Sequence, residues 1–286
     1  MPQIDPGSLP ALVEQLERQR NSRVLVLAAS HLDTEMLPAL YDQLQAIGPC
    51  PRLDVLLHGR GGVVNAARRI ALLLRHHADQ LAFIVPFHCA SAATLLTLCA
   101  DEIVAGELAH FSPFDPQLAG ADDSSFSGLD IEQFGDMAAQ WFGHESHEAR
   151  QQSLALMCNS VFPPSLTAFY RSTREVATIG EELLAWQLPY HPVTERQRIV
   201  KQLMSGYHSH NYALTGSEME VIGLRVKRQH ATEQIAWQIS KVVQANLGGA
   251  MRMAEEAPWI DAMLATRDGV NLRRKHPGGL APRWSA

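Results

Sequence analysis

Charge is scarce in this chain. Asp, Glu, Lys and Arg make up 19% of its 286 residues, and their balance is −6. There is no basic stripe of the kind that follows a phosphate backbone, so no nucleic-acid partner is expected. Cysteines are few, at Cys50, Cys89, Cys99 and Cys158, with no C-x-x-C spacing and no short secreted framework; reduced thiols in a cytosolic compartment are the expectation. No uninterrupted apolar run approaches the length of a membrane span, so no transmembrane segment is expected. Met1 to Arg23 holds prolines and charges but no apolar h-region, which does not read as a signal peptide. Nucleotide loops of the G-x-G-x-x-G or G-K-[ST] type are missing. Neither a cofactor nor a metal is expected, and the chain is read as cytoplasmic.

What is present is apolar: 46% of the residues are hydrophobic, ample for a packed core. Leu9 to Arg20 reads as a helix. Arg23 to Ala29 is a short Val- and Leu-rich run of the kind found in buried parallel strands. Helical spacing follows over Thr34 to Ile47, a strand over Leu53 to Leu57, a helix over Val64 to His76, a strand over Leu81 to Pro86, a helix over Ala90 to Cys99 and a strand over Glu102 to Ala105. That alternation predicts an α/β fold with a parallel sheet. Residues 1–118 are read as this core. Residues 119–129, small and acidic, are read as a flexible loop. Residues 130–250 are read as a mostly helical part, with Trp141, Leu154, Leu156, Phe169 and Leu183 as buried positions. In that part Pro163-Pro164 opens a helix, Thr215 and Glu218 make a capping box, and Gly223 ends the helix they start. Residues 251–286 are read as an irregular tail.

Two segments follow strands and carry candidate chemistry. In His58-Gly59-Arg60-Gly61-Gly62 the paired glycines let the backbone turn sharply and approach a ligand, and their free N–H groups can hold an oxyanion; an ordinary strand-to-helix turn explains the same residues. In His88-Cys89-Ala90-Ser91-Ala92-Ala93-Thr94, Ser91 sits where a helix begins, flanked by alanines that leave room for a substrate. It is a candidate nucleophile or a plain N-cap. Cys89 is the rival nucleophile and lacks an evident activating partner. A third segment, Phe111 to Gln117, places Asp115 between two prolines, where it orients a base or caps a helix.

Taken in order, these stretches resemble the serine dehydrogenase proteinase family, a branch of the Clp protease/crotonase superfamily akin to signal peptide peptidase A. The resemblance runs from about Arg23 to Val226 and includes His210-Asn211-Tyr212-Ala213-Leu214-Thr215. It implies a Clp protease/crotonase-like core of repeated β-β-α units. It implies a serine peptidase acting on a peptide or protein substrate, with Ser91 at the nucleophile position. Gly62 and Ala92 match the residues whose N–H groups form the oxyanion hole, and Gly61 beside them is assigned to substrate binding. Asp115 falls near the place where the Clp proteolytic subunit carries its base, and His210 matches a family His and is the preferred base. Departures surround the site: Arg60 stands for the usual Pro, Ala93 for a Gly and Ser112 for another Gly. They keep open a catalytically inactive scaffold that binds peptide or a protein partner, and the same oxyanion loop keeps open crotonase-like chemistry on an acyl thioester. The resemblance also implies a homo-oligomer.

Overall fold

The computed structural model describes residues 5–119, 125–142, 147–160, 162–248, 258–275 and 283–285. Helix α1 (Leu9–Arg20) buries Leu9, Val13 and Leu16, three or four apart on one face, and stops at Asn21 in the left-handed conformation. Strand β1 (Arg23–Ala29) is buried from Val24 onward. A 3-10 turn at Thr34–Met36 precedes α2 (Leu37–Ile47), so the α-helix begins three residues later than its spacing suggests. Then come β2 (Cys50–Gly59), α3 (Val64–His77), β3 (Ala78–Val85), β4 (His88–Cys89), α4 (Ala92–Thr97), β5 (Glu102–Ala105) and β6 (His110–Phe111).

The central sheet runs β1, β2, β3, β5 in parallel, with registers such as Leu27 opposite Leu57 and Val55 opposite Phe83. Successive residues of β1 point to opposite layers, as a period of two requires. Leu25 and Leu27 join the layer of α2 and α3, while Val24 and Val26 pack with Leu9, Leu16 and Ile239. Covering a parallel sheet on both faces is what makes its strands read as unbroken apolar runs. At its carboxyl end, β2 hands over to a short ledge: Gly59 pairs with Cys89 of β4, and His88 of β4 with His110 of β6.

Beyond the core, a short antiparallel pair, β7 (Gln117–Ala119) and β8 (Ser125–Ser127), occupies ground expected to be loop; residues 120–124 between them lie outside the described residues. Helices α5 (Gly128–Glu132), α6 (Phe134–Phe142), α7 (His147–Ser160), α8 (Pro163–Gln187), α9 (Val193–Ser205) and α10 (Gly216–Ile222) follow, then β9 (Val226–Lys227) beside β5, and α11 (His230–Asn246). The capping box of Thr215 and Glu218 and the left-handed Gly223 are as expected. Leu183 is fully buried and Phe169 partly so, but Trp141, Leu154 and Leu156 are 74%, 55% and 60% exposed. Their apolar side chains have no sheet to cover, because α6 and α7 pack on each other at the margin of the fold.

The expected irregular tail is corrected more sharply. β10 (Trp259–Thr266) pairs antiparallel with β1, followed by β11 (Gly269–Lys275) and β12 (Arg283–Ser285), extending the sheet past its parallel part. The charged β11 hides its role because Arg273 points inward. Its guanidinium is buried between Asp261 (3.0 and 2.8 Å) and Asp33 (2.7 and 2.9 Å). A buried charge of this kind is tolerated only when paired and hydrogen-bonded.

Candidate functional site

Ser91 occupies the turn between β4 and α4 with φ 52° and ψ −121°. A side chain in that region costs on the order of 1–3 kcal/mol, so the surrounding structure must impose it. Three bonds do so. Ala90 N–H donates to Gly59 O (2.9 Å), Ser91 N–H donates to Ser112 Oγ (2.8 Å), and Thr94 Oγ1 donates to Cys89 O (2.6 Å). The Ser91 hydroxyl does not cap the helix. The plain N-cap reading is thereby set aside, and the result is a strained strand-to-helix turn that leaves a hydroxyl unused. Helix α4 is only six residues long, shorter than the Ala90 to Cys99 expected, so it presents no long helix dipole to this turn.

The glycine pair lies against this turn. Gly61 (φ 115°) and Gly62 (φ 141°) both adopt backbone that side chains disfavour. A Cβ at Gly61 would sit 3.0 Å from Ser91 Cβ, and one at Gly62 would overlap the backbone N and O of Leu32. The loop is fastened to the β1–α2 connection: Leu32 N–H donates to Gly61 O and Val63 N–H to Leu32 O, both 2.8 Å. Asp33, next to Leu32, is the carboxylate that Arg273 holds. The C-terminal hairpin thus buttresses the glycine loop from behind. Among the described residues, the N–H groups of Gly62 and Ala92 donate to no protein acceptor.

Asp115 is buried and accepts hydrogen bonds from His210 Nδ1 (2.7 Å), Gln117 Nε2 (2.6 Å) and the Ser127 hydroxyl. Burial alone would raise its pKa, but the bonds from His210 and Ser127 outweigh it and hold the carboxyl below the usual Asp range. An ionised Asp115 assigns the proton of a neutral His210 to Nδ1, leaving Nε2 unprotonated. His210 reaches this position because Leu214 and Phe111 exchange main-chain hydrogen bonds (2.9 Å each), laying the 207–214 segment along the Asp115 loop. Tyr207 stacks on Tyr212 (4.7 Å between ring centroids) and folds that segment back on itself.

Ser91, Gly62 and Asp115 line one cleft of about 330 Å³, together with His31, Phe114 and Val176. His210 is joined to this cleft through Asp115 rather than lining it. On the far side of Asp115 and Pro116 lies a second hollow of about 290 Å³, walled by Leu129, Ala177, Val200 and Met204. Cys89 is fully buried in the apolar core, which pushes its thiol well above the ordinary range; it is not available as a nucleophile. Ala93 lies within α4 with its Cβ against Gly59, so the Gly-to-Ala departure there is accommodated. Ser112, noted only as a departure, and Ser127 are the participants that residue patterns did not assign. For Ser127 the capping box with Asp130 was the available signal. Among the described residues no group of three or more His, Cys, Asp or Glu is arranged to hold a metal ion, and no helix is long and apolar enough to cross a membrane.

Residues 42–131, which contain the glycine loop, Ser91, Asp115 and Ser127, match the family of ClpP-like SDH-type serine proteinases. The chain is 25% identical over 227 residues to an uncharacterized protein of Methanocaldococcus jannaschii, covering 75% of this chain and 70% of that protein. A second uncharacterized protein of the same organism is 41% identical over 78 residues, which is 26% of this chain and 27% of that one.

Proposed function

We propose, from the match of residues 42–131 to the ClpP-like SDH-type serine proteinases, that the chain hydrolyses peptide bonds with Ser91 as nucleophile, His210 as base and Asp115 as the residue that orients it. The observation that carries this reading is the strained, uncapped conformation of Ser91 against Gly61 and Gly62. Ser91 Oγ attacks the scissile carbonyl as its proton passes to Nε2 of His210, whose ring must turn into the cleft from its place beside Asp115, and the carbonyl oxygen becomes an oxyanion held by the N–H groups of Gly62 and Ala92. Collapse expels the amine, which takes the proton from His210. Water, activated by the same imidazole, then releases the acyl group and restores Ser91. Asp115 keeps the imidazole in the tautomer this needs and offsets the charge it gains. Gly61 keeps the floor of the site low enough for a peptide backbone to lie over Ser91.

Supporting the peptidase over the scaffold reading is the cluster of site features with no bland use: a hydroxyl that caps nothing, two unoccupied N–H groups and a His–Asp pair. Purified protein is expected to be labelled by a fluorophosphonate probe and to cleave an unfolded protein substrate. Ser91→Ala should remove the labelling and lower cleavage by at least about 1000-fold. Undiminished labelling in the variant would sink the assignment, and no labelling of the parent protein would favour the inactive scaffold. The exposed Trp141, Leu154, Leu156, Phe162 and Tyr170 along α6 to α8 support a homo-oligomer formed through this helical margin. Light scattering at the single-chain mass of 31.6 kDa would contradict it.

A further inference from the structure

Three histidines and an arginine that the peptidase reading does not use meet at the carboxyl end of β2. His58 follows Leu57 on that strand and shares the sheet face of Leu56, which packs towards α11. Its ring lies 5.7 Å from that of His88 on β4, and His88 lies 5.3 Å from His110 on β6. Phe87 packs on His88 (4.1 Å) and meets Trp237 of α11 edge-on (6.3 Å), closing one side. His58 is buried with Nδ1 unpartnered, and Arg60 has a buried, unpartnered Nε. Among the described residues the Arg60 guanidinium makes no hydrogen bond or ion pair. Arg60 is also the residue that stands where the resembling family carries Pro.

Polar atoms of this kind are rarely left without partners unless something else satisfies them. Burial, then the charges of neighbouring cations, depresses His58 to about 3 and His88 to about 4. No carboxylate contributes to either. The groups near His88 are His58 and Arg60 from β2 and the turn after it, His110 from β6 and Phe87 from the preceding link, with Trp237 of α11 behind Phe87. Glu233, one turn before Trp237, has its carboxylate occupied by the Glu107 N–H. A cation is ill suited to a cluster that already holds Arg60. An oxyanion fits it: the guanidinium supplies charge-assisted donors, and each imidazole becomes a donor by taking up a proton.

We propose that His58, Arg60, His88 and His110 form an oxyanion-binding site, separate from the cleft lined by Ser91, that takes a carboxylate or phosphate group. The bound charge favours the protonated imidazoles, so binding takes up protons and strengthens as pH falls from 8 to 5. The proposal does not rest on the peptidase reading.

Calorimetry and histidine NMR on the full chain test it with three probes: inorganic phosphate, a tripeptide of alanine with a free carboxyl terminus, and the same tripeptide amidated. Phosphate or the free-carboxyl peptide should bind at millimolar concentration and shift the His88 and His110 resonances, and the amidated peptide should not. Binding by phosphate alone identifies a phosphate site, and binding by the peptide alone a carboxyl-terminus site. Arg60→Gln should weaken the binding about tenfold or more. Should that variant misfold, His110→Asn serves instead and should flatten the pH dependence. Ser91→Ala should leave the binding unchanged. Absence of binding by both anions, or equal affinity in the folded Arg60→Gln variant, overturns the site.

Discussion

Around Ser91 and the glycine loop every hydrogen bond has a main-chain group at one end or both, whereas around Asp115 the bonds run from side chain to side chain. On the first side, Gly59, Gly61, Leu32 and Ala90 exchange backbone hydrogen bonds, and the positive φ angles of Gly61, Gly62 and Ser91 lock the turn. On the second, one carboxylate collects three side-chain donors, from Gln117 two residues on, Ser127 twelve residues on and His210 ninety-five residues on. The contrast matches the chemistry proposed for each. Stabilising an oxyanion needs donors that do not move, and backbone N–H groups in a rigid turn meet that need. Moving a proton needs a group whose tautomer is set yet whose ring can adjust, and a side-chain network meets that one.

The sharpest way to break the contrast is on the side-chain half. Asp115→Asn keeps the shape but presents an amide to His210, so the imidazole can settle in the wrong tautomer. A kcat lower by about 1000- to 10000-fold is expected, with little change in KM or in the thermal midpoint. Steady-state kinetics with a peptide substrate checks this. An unchanged kcat would remove His210 and Asp115 from the proton-transfer role. On the main-chain half, Gly62→Ala should act differently, costing stability and rate together. The new Cβ meets the Leu32 backbone at φ 141°, so unfolding free energy should fall by about 2–4 kcal/mol in a urea titration. Alanine keeps the N–H, but the clash displaces it from the oxyanion position, which should lower kcat by up to about 100- to 1000-fold. A variant as stable as the parent would show the loop to be looser than drawn.

The smallest expected effect is a control at a distance from both halves. Burial would raise the pKa of Glu102, at the start of β5, but bonds from Lys227, Arg52 and Arg20 outweigh it and bring it down to about 2. A carboxylate depressed in the folded state stabilises it above the ordinary range near 4.5, and that contribution is lost as pH falls through about 2. Glu102→Gln should therefore flatten the fall in stability between pH 5 and 2 while leaving kcat at pH 7 unaltered. Equal acid slopes for variant and parent would contradict the network.

Much of the parallel core was legible because its signals are local. β1, β5 and α1 lie where their apolar runs and punctuation put them. The glycine pair, Ser91, Asp115 and His210 were each visible as motif residues. What local patterns could not supply was the join: His210 lies 95 positions from Asp115, and only the pairing of Leu214 with Phe111 brings them together. The tail misled because an inward-facing Arg273 imitates a solvated strand, and its partner Asp33 is 240 positions away. Trp141, Leu154 and Leu156 misled in the opposite direction, since apolar residues on a helix do not say which surface they will meet.

The sequence by itself determined the order of the main strands and helices in the parallel core, the α/β class and the residues able to carry chemistry, because propensity and periodicity act over a few residues. Tertiary structure alone decided that Ser91 leaves its hydroxyl uncapped, that Asp115 binds His210 rather than a helix end, and that the last strands brace the glycine loop through Arg273 and Asp33. Those outcomes depend on desolvation and on hydrogen bonds between distant segments, which exist only once the sheet has brought the segments together.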